Sequence, residues 1–179
     1  MPDAALMGAL VGGAISLATS LASTVGAEMF KQKREARNLA YAFQGGINAL
    51  LVIVEERKYV RLISEAVQAG RAGHPLTTMK VSAKRNYVEL YNKNVDKLGL
   101  LHAAVAQRIP VFYTCVNSLL EDMDAMYAGA FEDLTQTELL AFYERFQDLL
   151  FKTLRLGDEL IGLIAEKYPP STIWLNLPG

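Results

Sequence analysis

Chemistry-bearing side chains are scarce in this sequence of 179 residues, which holds one cysteine, two histidines and one tryptophan. A lone cysteine excludes both a disulfide framework and a cysteine-based zinc site, and it fits a reducing compartment. The histidines cannot supply the paired Glu-x-x-His sets of a di-iron bundle, because Arg71 stands three residues before His74 and Gly99 three before His102. Both read as ordinary residues, His74 in a loop beside a proline and His102 at a helix start. No glycine-rich phosphate loop with its lysine occurs. Asp122-x-Asp124 opens like a calcium loop, but Met126 stands at the next alternate position and no glycine follows at the sixth. Cys115 falls mid-helix among apolar residues, where a thiol is an inert core group. A basic excess is missing as well: 18 Lys+Arg against 19 Asp+Glu argue against a general nucleic-acid binder. These absences predict a protein that is not an enzyme and carries no catalytic, cofactor-binding or metal-binding residues.

The most informative absence is local. From Ala4 to Ala27 run 24 consecutive residues without Asp, Glu, Lys or Arg. As a helix this run is roughly 36 Å long, enough to cross a hydrocarbon core of about 30 Å. Fifteen of its residues are hydrophobic and the other nine are all Gly, Ser or Thr. The mean hydropathy of +0.16 for the whole chain owes much to this one segment. A cleavable signal peptide is an alternative, since Val25-Gly26-Ala27 has the small residues of a cleavage site, yet Met1-Pro2-Asp3 lacks the basic start such a peptide needs. A buried soluble helix is another, given the Ala, Gly and Ser content. Length and the following sequence favour a transmembrane anchor over residues 1–29. Lys31, Lys33, Arg34 and Arg37 follow at once, and basic residues beside a span are retained on the cytoplasmic side. The expected topology is a short N-terminus outside and the remainder in the cytoplasm, with the basic cluster at the lipid surface. Gly8, Gly12, Ser16 and Ser20 recur four apart and share one helix face, a smooth stripe on which another transmembrane helix, from itself or from a larger complex, could pack.

Residues 30–168 read as an antiparallel four-helix bundle, which makes the fold class all-α, one N-terminal transmembrane helix continuing into a cytoplasmic bundle. A first helix runs from Lys31 to about Ala69, with Leu39, Phe43, Ile47, Leu50 and Val54 at three- and four-residue steps. Gly45-Gly46 marks a bend or a tight contact, and Gly70 to Pro75 a loop. A second helix is expected over about Thr78 to Lys97, with Tyr87, Leu90, Tyr91 and Val95 on one side and Leu98-Gly99 as its left-handed stop. A third covers about His102 to Ala128, kinked at Pro110. The fourth begins at Thr135, where Thr135-Gln136-Thr137-Glu138 has the spacing of a capping box. Its core stripe is Leu139, Tyr143, Phe146, Leu150, Thr153, Leu160 and Ile164, and Pro169-Pro170 closes it. All the aromatic residues lie beyond residue 29, which suits a packed core.

Charge divides along the chain. Residues 28–97 hold 13 basic and 7 acidic side chains, whereas residues 98–179 hold 5 and 11. The two halves could pair with each other, or the basic half could meet anionic lipid. Residues 169–179 form a Pro-rich apolar tail in which Ile173, Trp174, Leu175 and Leu177 either fold back or dock on a partner.

The basic stretch after the anchor, the run Phe43-Gln44-Gly45-Gly46-Ile47-Asn48-Ala49-Leu50 with Arg57-Lys58-Tyr59, and Tyr91-Asn92-Lys93-Asn94-Val95-Asp96-Lys97-Leu98-Gly99-Leu100-Leu101 resemble uncharacterised bacterial single-pass membrane proteins with a cytoplasmic helical domain. The resemblance spans roughly residues 5–120 and implies an architecture, with no assigned activity. The expected function is a non-enzymatic accessory or scaffold subunit of the bacterial inner membrane. Its partners would be membrane lipids, other transmembrane helices and a cytoplasmic protein, without nucleic acid. A small oligomeric pore or lysis-type protein, and a membrane-tethered enzyme or cofactor-binding bundle, are the competing readings.

Overall fold

Every regular element among the described residues is helical, as the three- and four-residue spacing predicts. The computed structural model describes residues 4–81 and 85–170, with side chains from Val25 onward apart from that of Arg85. The long elements are α1 (Ala4–Glu56) and α2 (Tyr59–Arg71), followed by the single turn α3 (Glu89–Asn92), then α4 (Ala103–Tyr127) and α5 (Gln136–Lys167). Two units divide the chain, residues 1–38 and 39–179, with the division inside α1.

In the first unit the helix includes the charge-free run from Ala4, while the side chains of that run up to Thr24 lie outside the described residues. The small-residue stripe of Gly8, Gly12, Ser16 and Ser20 therefore lies outside them too. Among the described residues, no helix is long and apolar enough to cross a membrane.

The second unit is a helical bundle with α5 as its spine, about 48 Å long at 1.5 Å per residue. Its start is fixed by the expected capping box: the Thr135 hydroxyl accepts the Glu138 N–H at 3.3 Å, and the Glu138 carboxylate accepts the Thr135 N–H at 2.9 Å. The seven positions of its expected stripe are all buried. Against α5 runs the second half of α1 followed by α2, antiparallel throughout. The Tyr41 hydroxyl donates to the Tyr168 carbonyl at 3.0 Å, Leu51 packs on Gly157, Gln147 donates to Ser64 at 2.8 Å, and Arg71 pairs with Glu144 at 2.8 Å. On another side α4 is also antiparallel to α5, with Phe112 beside Gly157 and Arg108 3.7 Å from Glu159. Phe43, Ile47, Val105, Ile109, Phe112, Leu160 and Ile164 make one core cluster; Ile63, Val67, Met126, Phe142 and Phe146 belong to a second. Each such side chain contributes about 1.5–3 kcal/mol of burial.

Two expectations are corrected. The first helix does not run unbroken to Ala69: α1 stops at Glu56, and Lys58 adopts a left-handed conformation (φ 57°, ψ 32°) before α2 begins. Helical phase supplies the reason. Continuing the stripe of Leu39, Phe43, Ile47, Leu50 and Val54 by a further three- or four-residue step would bury Arg57 or Lys58. The apolar series resumes instead at Tyr59, Ile63 and Val67, five residues beyond Val54, a step that turns about 140° on an unbroken helix. The break resets the phase.

The second expected helix, Thr78 to Lys97, is also absent as a single element. A 3-10 turn at Arg85–Val88, α3, and a 3-10 segment at Val95–Leu100 stand in its place. The side chain of Asn94 donates to the Leu90 carbonyl at 2.9 Å, taking an acceptor that a continuing helix would use for its own backbone. Gly99 lies inside the last 3-10 segment without the positive φ of a helix stop, and Val95 is exposed. The connection must nevertheless return along the bundle, because α2 ends beside Glu144 and α4 begins beside Tyr168. Its apolar residues Leu76, Val88, Leu98 and Leu101 are buried along the way. The Gln136 side chain holds Leu76 at both backbone groups, accepting its N–H at 2.6 Å and donating to its carbonyl at 3.2 Å. Helix α4 continues through Pro110, which leaves the Ala106 carbonyl without its usual backbone donor.

Candidate functional site

Of the groups with catalytic potential, His102 caps a helix, His74 is exposed and Cys115 is buried. His102 is the N-cap of α4, its Nδ1 accepting the Ala104 N–H at 3.3 Å, while its backbone N–H donates to the Tyr168 hydroxyl at 2.7 Å. His74 sits in the turn after α2, where its N–H donates to the Ala69 carbonyl. Cys115 is buried on α4. Asp122 and Asp124 are both helical, so no calcium loop exists there; burial, reinforced by Glu121, pushes the Asp122 carboxyl above its usual range. Among the described residues no group of three or more His, Cys, Asp or Glu could hold a metal ion.

The basic cluster lies on α1. Lys31, Lys33 and Arg34 are exposed and Arg37 is half-buried, and none has an ion-pair partner among the described residues. Phe30 beside them is 78% exposed, and Met29 and Val25 are open as well. The tail residues Ile173, Trp174, Leu175 and Leu177 lie outside the described residues. Their approach is described to Pro170, with Tyr168 tied to both Tyr41 and His102. The two charge halves do meet within residues 39–179, through Arg71 with Glu144 and Lys80 with Glu132 at 3.5 Å. Both pairs are exposed and contribute at most about 1 kcal/mol each.

Two features had no reading in the sequence. The Tyr113 ring stacks on Tyr91 with centroids 4.8 Å apart and meets Phe43 and Phe112 edge-on, while its buried hydroxyl has no hydrogen-bond partner among the described residues. Burial pushes this phenol up to about 12. Tyr143 contrasts with it, since its hydroxyl donates to the Thr77 carbonyl at 2.8 Å and accepts the Met79 N–H at 3.0 Å.

The other feature is an apolar cavity of about 90 Å³ between the end of α1, α2, α4, α5 and the segment after α2. Ile63, Leu119, Met123, Met126, Phe146 and Leu150 form much of its wall. Its polar groups are few: Thr153, whose hydroxyl is spent on the Leu149 carbonyl at 2.7 Å, and the phenols of Tyr59 and Tyr87. The phase slip at Lys58 creates the space by letting Val54 and Tyr59 line it together. The apolar steps before and after Arg57-Lys58 are the signal that reveals the break, although the cavity itself depends on four elements far apart in sequence.

Comparison with known protein families, with curated proteins and with solved structures finds no match to this chain.

Proposed function

We infer that the chain is a non-enzymatic accessory or scaffold subunit of the bacterial inner membrane. Residues 1–29 are its transmembrane anchor and residues 30–168 its cytoplasmic helical bundle. One observation carries this reading: a 24-residue run without charge leads, along α1, to the exposed and unpaired Lys31, Lys33 and Arg34. Anionic headgroups attract such cations by about 1 kcal/mol each, and a charge-free helix of this length suits a hydrocarbon core. The exposed Val25, Met29 and Phe30 support the same reading, since lipid would cover them at the boundary. The bundle then offers a helical surface to a cytoplasmic protein, while the smooth stripe of Gly8, Gly12, Ser16 and Ser20 offers a face to other transmembrane helices.

Alkaline carbonate extraction tests the anchor. The full chain is expected to stay with the membrane pellet and a chain lacking residues 1–29 to be released; release of both refutes the anchor. Protease protection in spheroplasts should leave a C-terminal tag intact, and its removal from outside would reverse the topology. In-cell crosslinking followed by co-purification addresses the accessory role, which a monomer without crosslinked partners contradicts.

A further inference from the structure

The cavity beneath Tyr59 and Tyr87 has the makings of a binding site whose walls and mouth differ in chemistry. Its interior is almost wholly aliphatic and aromatic, and the one interior hydroxyl, on Thr153, is satisfied within α5. A dry apolar chamber of this order accepts small apolar molecules: an engineered cavity of about 150 Å³ takes up benzene. At about 90 Å³ the present one is smaller, so a phenyl-sized body fills it only in part and extends toward Tyr59 and Tyr87.

A cation stands beside one of the lining tyrosines. Arg57 stands in the break between α1 and α2, and its guanidinium donates to the Tyr59 hydroxyl at 3.4 Å. Tyr59, chiefly through that hydrogen bond, and to a lesser degree Tyr87, the other lining tyrosine, hold the Arg57 guanidinium above its ordinary value. No carboxylate pairs with Arg57 among the described residues. Having accepted from Arg57, the Tyr59 hydroxyl keeps its own proton to donate. An apolar chamber leading to an unpaired guanidinium and a free phenolic donor complements a small amphiphile with an anionic head. We propose that this cavity binds small apolar monocarboxylates, the hydrocarbon body lying among Ile63, Leu119, Met123 and Phe146 and the carboxylate meeting Arg57 and Tyr59.

The methionines provide a built-in test. Met79, Met123 and Met126 line the cavity, whereas Met1, Met7 and Met29 belong to the first 38 residues. The full chain, carbon-13-labelled at the methionine methyls and held in lipid nanodiscs, is titrated with phenylacetate and with its neutral counterpart phenylethanol. Phenylacetate should shift the three cavity methyls saturably and leave the other three in place, and it should bind about threefold more tightly than phenylethanol, the advantage of an exposed ionic contact. Arg57→Gln, at an exposed side chain, should remove that advantage, weakening phenylacetate about threefold and phenylethanol less. Val116→Phe should block both probes by filling the chamber from α4, with circular dichroism reporting its fold. Absence of saturable shifts, or equal shifts at all six methyls, overturns the site. Equal affinity for acid and alcohol in the unaltered chain overturns the anionic head.

Discussion

Gly46 on α1 is seated against Leu90 on α3: a Cβ built on Gly46 would stand 2.6 Å from Leu90 Cδ2. The neighbouring Gly45, on the same helix, meets nothing within 4 Å. Two adjacent glycines thus have opposite roles. One is a helix interior position that gains nothing from lacking a side chain; the other is the space into which the returning connection packs.

Substitution by alanine should separate them. Gly45→Ala is expected to stabilise the bundle by about 0.5–1 kcal/mol, the ordinary gain of replacing glycine in a helix. Gly46→Ala must displace the end of Leu90 and should fall about 1 kcal/mol below Gly45→Ala. Urea unfolding followed by circular dichroism measures both, and matching midpoints would show that the Leu90 contact is slack.

The two buried tyrosines should respond to phenylalanine with opposite signs. Tyr143→Phe leaves the Thr77 carbonyl and the Met79 N–H without their partner and should cost about 1–3 kcal/mol. Tyr113→Phe removes a buried hydroxyl that has no partner and should stabilise by about 1 kcal/mol. Because the Tyr113 phenol is raised from 10.0 to about 12 in the folded protein, its contribution is complete below pH 10 and is lost as pH rises toward 12. Tyr113→Phe should therefore flatten the alkaline limb of a stability–pH curve. An unchanged limb would assign that loss to other groups.

Lys58 holds a left-handed backbone that glycine adopts without steric cost. Lys58→Gly should accordingly stabilise the bundle by about 1 kcal/mol, whereas Gly substitution at the helical Glu55 should destabilise it by a similar amount. Thermal melts of the two variants decide the point; a loss at both positions would place Lys58 within a continuous helix.

The capping box at the head of α5 gives a fourth test. Thr135→Ala should cost about 1 kcal/mol. Its hydrogen bonds hold the Glu138 carboxyl below its ordinary value of 4.5, so that contribution is present above the unfolded value and disappears as pH falls through the folded one. The penalty of Thr135→Ala should thus shrink in acid. A penalty equal at neutral and acidic pH would mean that the Glu138 charge plays no part.

Much of the helical order could be read from residues close together in sequence. Thr135 and Glu138 mark the start of α5, and His102 the start of α4, because caps satisfy backbone groups within one turn. The stripe from Leu139 to Ile164 told which face of α5 is buried, since a period of 3.6 residues places those positions in line. Arg57 and Lys58 were harder. No glycine or proline announces the break, and only the shift of the apolar stripe from Val54 to Tyr59 records it.

Local pattern thus determined the all-helical class, the ends of α4 and α5 and the charge-free run that prompts the membrane reading. Tertiary structure alone decided that the return from Leu76 to Leu101 is broken into short helical pieces rather than forming one helix. It also decided that Tyr113 is left without a partner and that the cavity opens beside Arg57. The physical reason is range. Caps and stripes act over three or four residues, whereas a packed fourth rod, an orphaned hydroxyl and a shared cavity depend on how surfaces from α1, α2, α4 and α5 fit together.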